Sequence, residues 1–553
     1  MRTLVIQFGR LGDVIQTTPL LRDLAASDSQ DGIDLLLVHP NQTALSGLSG
    51  IAQMRTVRLE AKLLDDQIAT GFAQGRIPKE APALLDALNL PQYGRVIHAS
   101  HAALGCWLAG HISCEQREGG IIGDAGECLY EGAAHTYRVA LLAFRERNWF
   151  NVVDLIRCSA ERCTPPQPAS RPYVSTSERL SFALPAGRKV ALNVGASEPH
   201  RCWPPEHFAR LAEALTAAGL TPILVGAPSE RDLGAKVEAL CRTPLAGFFE
   251  TPIAEMAKLL SLVDLLVSVD TGAVHIAAAV GCKVVSLSGA SVYFAETAPW
   301  GAGHLILQGR LGAPMAQLEP NLVLTAALHR LGLADQASLR TELARRGQQA
   351  WETRFLPPEA DPLGGISYWP LHEYVPRAEE LFTRALRHLF ALEFRGGVGS
   401  VSLDYLRDLF VGRESLVQEA DCRLQTMTPI VQTLDQMSAA ASKCEEVSTR
   451  RDPEAGAAVK RLAPKLMEGL QALLARTAKA DALAFQPVMH YLDWRLRMMP
   501  VMPPRETFAY HAQEYEAAAA MLRRCGALVR GVLRAERGLN DKRCIQRSAI
   551  SQT

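Results

Sequence analysis

The chain has 553 residues, with 58 basic and 58 acidic side chains and 12 cysteines. This length predicts two to four domains. The balanced charge argues against binding to nucleic acid or to an anionic membrane through a global charge excess. No run of about 18 apolar residues could span a bilayer, and the N-terminal apolar run is too short for a secretory signal. We therefore expect a cytoplasmic protein. The cysteines lack the paired spacing of a zinc site, so we expect reduced thiols and no metal.

The first part of the chain alternates short apolar strands with helices. Residues 3–8 form a predicted strand, and residues 9–13 turn it into a helix over 15–26. Further strands are predicted over 33–39, 57–60 and 95–100, with helices over 81–88 and 102–109. This alternation indicates a parallel sheet covered on both faces. The functional groups of such a sheet gather beyond the carboxyl ends of its strands, where residues 9–13 fall.

A proline-rich segment, 163–172, is predicted to be a linker to a second alternating region. Its strands are predicted over 189–194, 221–225, 262–269 and 283–287, and its helices over 205–218, 229–240, 253–260 and 273–280. The sequence thus predicts two doubly wound α/β domains, 1–165 and 173–330, with a cleft between them.

After residue 330 the strand signal stops, and residues 331–553 are predicted to be an all-helical extension without an assigned role. Its apolar residues recur at helical spacing, as in Val459, Leu462, Leu466, Leu470 and Leu473, and in Met521, Cys525, Leu528 and Val532. These stripes predict the core of a helical bundle. The methionine-rich segment 498–504 is interpreted as a loop rather than a ligand site.

Three segments carry candidate chemistry. In the first, Gly9 and Gly12 flank Arg10 and precede Asp13, which either points a carboxylate into the cleft or only caps the helix. In the second, Gly195 and Ser197 follow a strand and precede Arg201, whose guanidinium suits a diphosphate. Trp203, just beyond, is expected to plug the seam between helix and sheet rather than to stack on a base.

The third segment follows the predicted strand over 262–269. Asp270, Thr271 and Gly272 lead into a helix with His275 in its first turn. Asp270 or Thr271 can serve as the N-cap. A helix N-terminus with unpaired N–H groups is an anion site, so this segment is either a phosphate site or a helix packed tightly on the sheet.

Together these segments resemble glycosyltransferase family 9, the heptosyltransferase-like enzymes of lipopolysaccharide assembly. The resemblance runs from residue 1 to about 309. It rests on Gly-x-x-Gly-Asp-Val, on Gly-Ala-Ser before a basic residue and Trp-Pro, and on Asp-Thr-Gly-x-x-His. Gly289 and the segment 298–301 match the closing motif of the family.

The resemblance implies a GT-B architecture and a metal-independent, inverting transfer from an ADP-activated sugar, expected to be heptose, without a cofactor. The acceptor would be a saccharide or lipid-linked saccharide, and peripheral contact with the inner membrane stays open. In the family, the Asp of Gly-Asp-Val is the general base, which corresponds to Asp13, and Gly9, Arg10 and Gly12 form the loop expected on the acceptor side. The basic residue before Trp-Pro, usually Lys, holds the diphosphate and corresponds to Arg201. Asp270, Thr271, Gly272 and His275 match the sugar and phosphate segment.

One motif departs from the family. Relatives carry an acid that contacts the ribose soon after the strand over 221–225, whereas Glu230 stands here at a different offset. Two alternatives remain open from the sequence. In the first, the chain is a non-catalytic carbohydrate-binding or scaffold protein. In the second, it is an enzyme of the same fold that transfers a hexose to another glycan or protein. The helical extension is a candidate for binding a protein partner, and no nucleic acid partner is expected.

Overall fold

The structure is a computed structural model of the chain. It describes residues 2–26, 32–38, 48, 54–59, 71–72, 76–123, 126–141, 145–159, 171–355, 363–371, 378–394, 414–448, 453–478, 482–497 and 504–550. These residues fall into two units. The first comprises residues 1–135, 150–356 and 363–374, and the second comprises 136–149, 357–362 and 375–553.

The first sheet of the first unit has six strands in the order β3-β2-β1-β4-β5-β6. All neighbours run parallel except β5 and β6. The strands are β1 Thr3–Gln7, β2 Ile33–Val38, β3 Met54–Leu59, β4 Tyr93–His98, β5 Cys114–Ile122 and β6 Cys128–Glu131. The helices in this part of the chain are α1 Leu11–Ala26, α2 Ala81–Leu88, α3 Ala103–His111, α4 Ala133–Ala140 and α5 Val152–Arg157. Because β2 and β4 both flank β1, the strand order reverses there, and a crevice opens beyond its carboxyl end.

The second sheet has eight strands in the order β14-β13-β12-β11-β10-β7-β8-β9. The strands are β7 Lys189–Asn193, β8 Thr221–Val225, β9 Ala246–Phe248, β10 Leu265–Val269, β11 Val284–Ala290, β12 Leu305–Leu311, β13 Gln349–Phe355 and β14 Ile366–Pro370. The helices are α6 Pro205–Ala217, α7 Arg231–Leu240, α8 Ile253–Leu260, α9 Gly272–Ala279, α10 Phe294–Thr297, α11 Pro320–Arg330 and α12 Gln336–Arg346. Here the order reverses between β7 and β10. Two doubly wound sheets therefore confirm the predicted α/β fold.

Local sequence explains these elements. β10 is buried at all five positions, as a strand covered on both faces requires. Proline opens α6 and α11 at the first helical position, where its missing N–H costs nothing. Asp335 caps α12 by accepting a hydrogen bond from Ser338 N, and Gly347 ends that helix with a φ of 59°.

The expectation that strands stop after residue 330 is wrong. β13 pairs antiparallel with β12, and β14 pairs antiparallel with β13. α12 also packs Leu339 and Leu343 into the core of the second sheet. The signal was missed because two of the seven residues of β13 are charged and two are polar, so the strand has no continuous apolar run. The predicted linker, 163–172, lies almost wholly outside the described residues, as does the segment 498–504.

A short region after α4 joins the two sheets within the first unit. Asp154 in α5 is fully buried, and its carboxylate accepts hydrogen bonds from Trp300 Nε1 at 2.8 Å and from Ile366 N at 3.1 Å. Arg157 Nε donates to Asp23 Oδ2 at 2.8 Å, and both side chains are almost fully buried. A buried ion pair is strongly destabilising to break, so α5 fixes the two halves together at this place.

The second unit is helical, as predicted. It contains α13 Ala378–Phe394, α14 Glu414–Ser448, α15 Pro453–Thr477, α16 Gln486–Arg497 and α17 Pro504–Ile550. Leu466, Leu470 and Leu473 of the predicted stripe are buried, while Val459 and Leu462 lie outside the residues whose side chains are described. In α17 the core stripe also includes Leu522 and Val529, so Met521 and Leu528 are only half-buried. Within the described ranges, no helix is both long and apolar enough to cross a membrane.

Candidate active site

A cavity of about 850 Å³ lies beyond the carboxyl ends of both sheets. Arg10, Leu11 and Gly12 line it from the first sheet. From the second sheet, its lining residues are Asn193, Gly226, Ala227, Pro228, Glu230, Thr251, Pro252, Ile253, Met256, Thr271, Gly272, Ala273 and Ile276. This size is in the range of small-molecule sites, which are commonly about 300–1,000 Å³. Of the predicted site residues, five line the cavity directly: Arg10, Gly12, Glu230, Thr271 and Gly272.

The loop of residues 9–13 places the candidate base. Gln7 at the end of β1 accepts from Gly9 N at 2.8 Å through Oε1 and donates to Thr17 Oγ1 at 2.8 Å through Nε2. Asp13 Oδ2 accepts from Arg10 N at 2.7 Å. A Cβ at Gly9 would lie 2.6 Å from Asp13 Oδ2, so only glycine leaves room for this carboxylate. Asp13 is half-buried, and among the described residues Oδ1 has no hydrogen-bond partner.

The first turn of α1 meets the first turn of α9. A Cβ at Gly12 would lie 2.7 Å from Cδ2 of His275, and a Cβ at Gly272 would lie 3.4 Å from Cδ2 of Leu11. The two helix starts therefore approach through glycines. The segment around Gly272 packs tightly, as one of the two interpretations predicted. It also lines the cavity, and its use as a phosphate site stays a prediction.

His275 is buried at this contact, with 6% exposure, and it is not among the residues that line the cavity. Burial lowers its pKa to about 4, although the nearby carboxylate of Asp13 favours the protonated form. Desolvation favours the neutral imidazole at this contact, and the role of His275 in donor binding stays a prediction. The sequence could not show that the side chain turns toward α1.

Arg201 and Asp270, which were predicted in separate segments, form an ion pair. Its Nη2 donates to Asp270 Oδ2 at 2.8 Å and to Asp270 O at 2.7 Å, and both side chains are about 85% buried. Among the described residues, Nε and Nη1 of Arg201 have no hydrogen-bond partner. Asp270 thus orients this guanidinium and offsets part of its charge.

Thr271 occupies the N-cap position of α9, but its side chain makes no capping bond. Its hydroxyl instead contacts Asn193 Nδ2 at 3.2 Å and Ser268 Oγ at 3.2 Å. Asn193 also donates to Gly195 O at 3.2 Å. These bonds connect the carboxyl ends of β7 and β10. Because the Thr271 side chain does not cap α9, the first-turn amides of that helix keep their anion-binding capacity.

Glu230 lies beside two glycine backbones. A Cβ at Gly195 would lie 2.2 Å from Glu230 Oε1, and a Cβ at Gly226 would lie 2.7 Å from Oε2. Oε2 accepts from Ala227 N at 2.8 Å, while burial raises the pKa of this carboxyl. The structure therefore brings Glu230 to the cavity despite its unusual offset.

Arg10 and Ser197, predicted on opposite sides of the cleft, are in contact. Arg10 Nη1 donates to Ser197 Oγ at 2.7 Å, and Nη2 lies 3.6 Å from Glu198 Oε1. The Arg10 side chain remains 67% exposed. This contact connects the loop after β1 with the loop after β7.

Trp203 is confirmed as a structural plug. It is fully buried, donates from Nε1 to Leu318 O at 2.8 Å, and packs edge-on against Phe208. It therefore anchors the loop that carries Arg201 to the core of the second sheet.

The cavity also has an apolar wall that the motifs did not predict, formed by Leu11, Pro252, Ile253 and Met256. Pro252 and Ile253 follow β9, a strand of only three residues that the hydrophobic pattern did not reveal. The signal that could have revealed this wall is the short strand β9, followed by Thr251-Pro252 and the start of a helix at Ile253. Within the described part of the chain, no group of three or more His, Cys, Asp or Glu side chains is arranged to hold a metal ion.

Comparison with known proteins gives matches to a family model, to curated proteins and to solved structures. Residues 160–318 match the sequence model of glycosyltransferase family 9 (heptosyltransferase). Lipopolysaccharide heptosyltransferase 3 of Escherichia coli is 33% identical over 108 residues, which is 18% of this chain and 31% of that protein. Lipopolysaccharide heptosyltransferase 2 of Salmonella typhimurium is 30% identical over 142 residues, which is 23% of this chain and 40% of that protein. The chain thus spans about a third of the curated relatives that it matches.

Among solved structures, a glycosyl transferase family 9 protein from Veillonella parvula has a TM-score of 0.48 and 16% identity, covering 60% of this chain and 97% of that one. The resemblance expected from the motifs is supported by the sequence match, in which residues 160–318 are similar to glycosyltransferase family 9.

Proposed function

We propose that this protein is an inverting glycosyltransferase that moves a sugar from an ADP-activated donor to a hydroxyl of a lipopolysaccharide-type or other surface glycan. The observation that carries the proposal is the cavity beyond both sheets, where the loop holding Asp13 meets the start of α9. The match of residues 160–318 to the heptosyltransferase family supports the transfer chemistry, and it favours heptose as the sugar.

Asp13 is the proposed general base. The acceptor oxygen forms a bond to the anomeric carbon while the bond from that carbon to the diphosphate oxygen breaks. The hydroxyl proton passes to Asp13, and the electron pair of the broken bond stays on ADP. The hydrogen bond that Asp13 accepts from Arg10 N orients Oδ2 of the carboxylate and leaves Oδ1 to accept the proton. Such a base contributes about 10²- to 10⁴-fold in rate.

The leaving diphosphate needs positive groups as its charge develops. Arg201, oriented by Asp270, has unused N–H donors, and the first-turn amides of α9 lie beside the cavity. We assign Gly195, Ser197, Thr271 and Gly272 to donor binding, with Glu230 contacting the ribose. The neutral imidazole of His275 packs against Gly12, near the carboxylate of Asp13.

The test is turnover of ADP-heptose by the full chain, measured as ADP release with a deacylated lipopolysaccharide acceptor, beside Asp13→Asn. We expect transfer by the native protein and its loss in the variant, with ADP affinity unchanged. Equal rates in both proteins would remove Asp13 as the base. Failure to bind ADP at millimolar concentration would favour the scaffold hypothesis. Faster turnover of an ADP-hexose would favour the hexosyltransferase hypothesis.

The helical unit and the location of the protein remain predictions. We propose a cytoplasmic protein with peripheral contact at the inner membrane, and a protein partner for the helical unit. Sedimentation of the full chain with anionic vesicles tests the membrane contact, because a protein that stays in the supernatant would contradict it.

A further inference from the structure

The charge around the cavity is unfavourable for a diphosphate unless a further cation takes part. Arg201 is held by the carboxylate of Asp270 at 2.8 Å, which offsets its charge. Glu230 lies in the cavity wall, and Glu198 and Asp13 lie close by. Among the described residues, these four acids outnumber the two cations Arg10 and Arg201, and an incoming diphosphate adds further negative charge.

Arg10 is the only lysine or arginine among the described residues that line this cavity. It belongs to the loop after β1, whereas Asn193, Thr271 and Gly272 line the same cavity from the second sheet. Its guanidinium already contacts the donor-side loop through Ser197 at 2.7 Å. It is therefore within reach of an anion bound beside the start of α9.

The present contacts of Arg10 are easily exchanged. Ser197 is a neutral hydroxyl, and the pair with Glu198 is open, at 3.6 Å, with side chains 67% and 43% exposed. Exposed ion pairs of this kind contribute only about 0–1 kcal/mol. A guanidinium forms stronger, two-pronged hydrogen bonds with a phosphate, so the diphosphate would displace Glu198 from Arg10.

We infer that Arg10, from the first sheet, is a ligand of the donor diphosphate and exchanges its contact with Ser197 and Glu198 for the phosphate oxygens. This inference rests on the proposed function, because it concerns the donor of that same site. It transfers Arg10 from the acceptor side to donor recognition. Binding of donor then ties the loop that carries Asp13 to the second sheet before the acceptor hydroxyl reacts.

The test is calorimetric titration of the full chain with ADP and, separately, with adenosine. Arg10→Ala should weaken ADP binding about 10- to 100-fold, because it removes charge-assisted hydrogen bonds. Binding of adenosine should stay unchanged. Arg10→Lys should fall between the two, since it keeps the charge and loses the fork. Glu198→Gln should tighten ADP binding by removing the competing carboxylate.

Arg242→Ala is the matched control, because Arg242 is 94% exposed and outside the cavity lining. It should bind ADP as the native chain does. Native-like ADP affinity in Arg10→Ala, while Arg201→Ala loses affinity, would overturn the role of Arg10 and leave the proposed function standing. Equal losses for ADP and adenosine in Arg10→Ala would also overturn it, since they would indicate a structural role. No ADP binding by the native chain would overturn both.

Discussion

The two sheets of the first unit contribute different kinds of groups in and beside one cavity, whose lining includes Arg10 but neither Asp13 nor Arg201. The loop after β1 supplies side-chain chemistry in Arg10 and Asp13, and its glycines make room for a carboxylate and an imidazole. The second sheet supplies backbone amides, an oriented guanidinium and an apolar wall. In the proposed function, one half moves a proton and the other holds the anionic donor. The predictions below separate these two roles.

The largest effect is expected at Asp13. Asp13→Asn should lower the transfer rate about 10³-fold, because the amide cannot accept the hydroxyl proton. ADP affinity should not change. Asp232→Asn, at an exposed acid in the first turn of α7, is the control. Single-turnover kinetics measures the transfer rate, and titration with ADP measures the affinity. Parallel losses of rate and affinity would mean that Asp13 also takes part in donor binding.

Arg201 tests the donor half. Arg201→Ala should weaken ADP binding about 10- to 100-fold, because a charged hydrogen-bond donor is removed. Arg201→Lys should retain more affinity through its charge. Fluorescence titration with ADP measures this. Unaltered affinity in the alanine variant would exclude Arg201 from the donor site.

The glycine contact between the helix starts provides an unequal pair. Gly12→Ala should lower the free energy of unfolding by about 1–3 kcal/mol, because its Cβ would lie 2.7 Å from the His275 ring. Gly272→Ala should cost less, since its Cβ would lie 3.4 Å from the end of the Leu11 side chain. Denaturant unfolding compares the two. Similar losses would mean that the contact adjusts equally on both sides.

The smallest effect concerns pH. Burial lowers the pKa of His275 to about 4, below the unfolded value near 6.5. Between these values the unfolded chain binds more protons, so the stability is present above pH 6.5 and is lost as pH falls toward 4. His275 adds a slope of at most about 1.4 kcal/mol per pH unit.

His304 is a matched control, since burial also lowers its pKa to about 4 and it lies outside the cavity lining. His275→Gln and His304→Gln should each flatten the dependence of the unfolding free energy on pH. Only His275→Gln should also change transfer. A slope unchanged by His275→Gln would show that this histidine is not buried in its neutral form.

Much of this fold was predictable, because β1, β7, β8 and β10 are apolar runs bounded by turn residues. The residue types of the site were predictable because the motifs have fixed spacing. The orientation of side chains was not. The sequence could not show that Arg201 binds Asp270, that Arg10 crosses to Ser197, or that His275 turns inward, because each depends on tertiary contacts between distant segments. β13 and β14 were missed because their pairing, not their hydrophobic pattern, makes them strands.

The buried contacts of α5 have a mechanical consequence. Asp154 holds Trp300 and Ile366, while Arg157 holds Asp23. Relative motion of the two halves keeps these bonds only if its axis passes close to α5, since any other axis would stretch them. A rotation of one half relative to the other would therefore have its axis near α5. The displacement of a residue in such a rotation increases with its distance from α5.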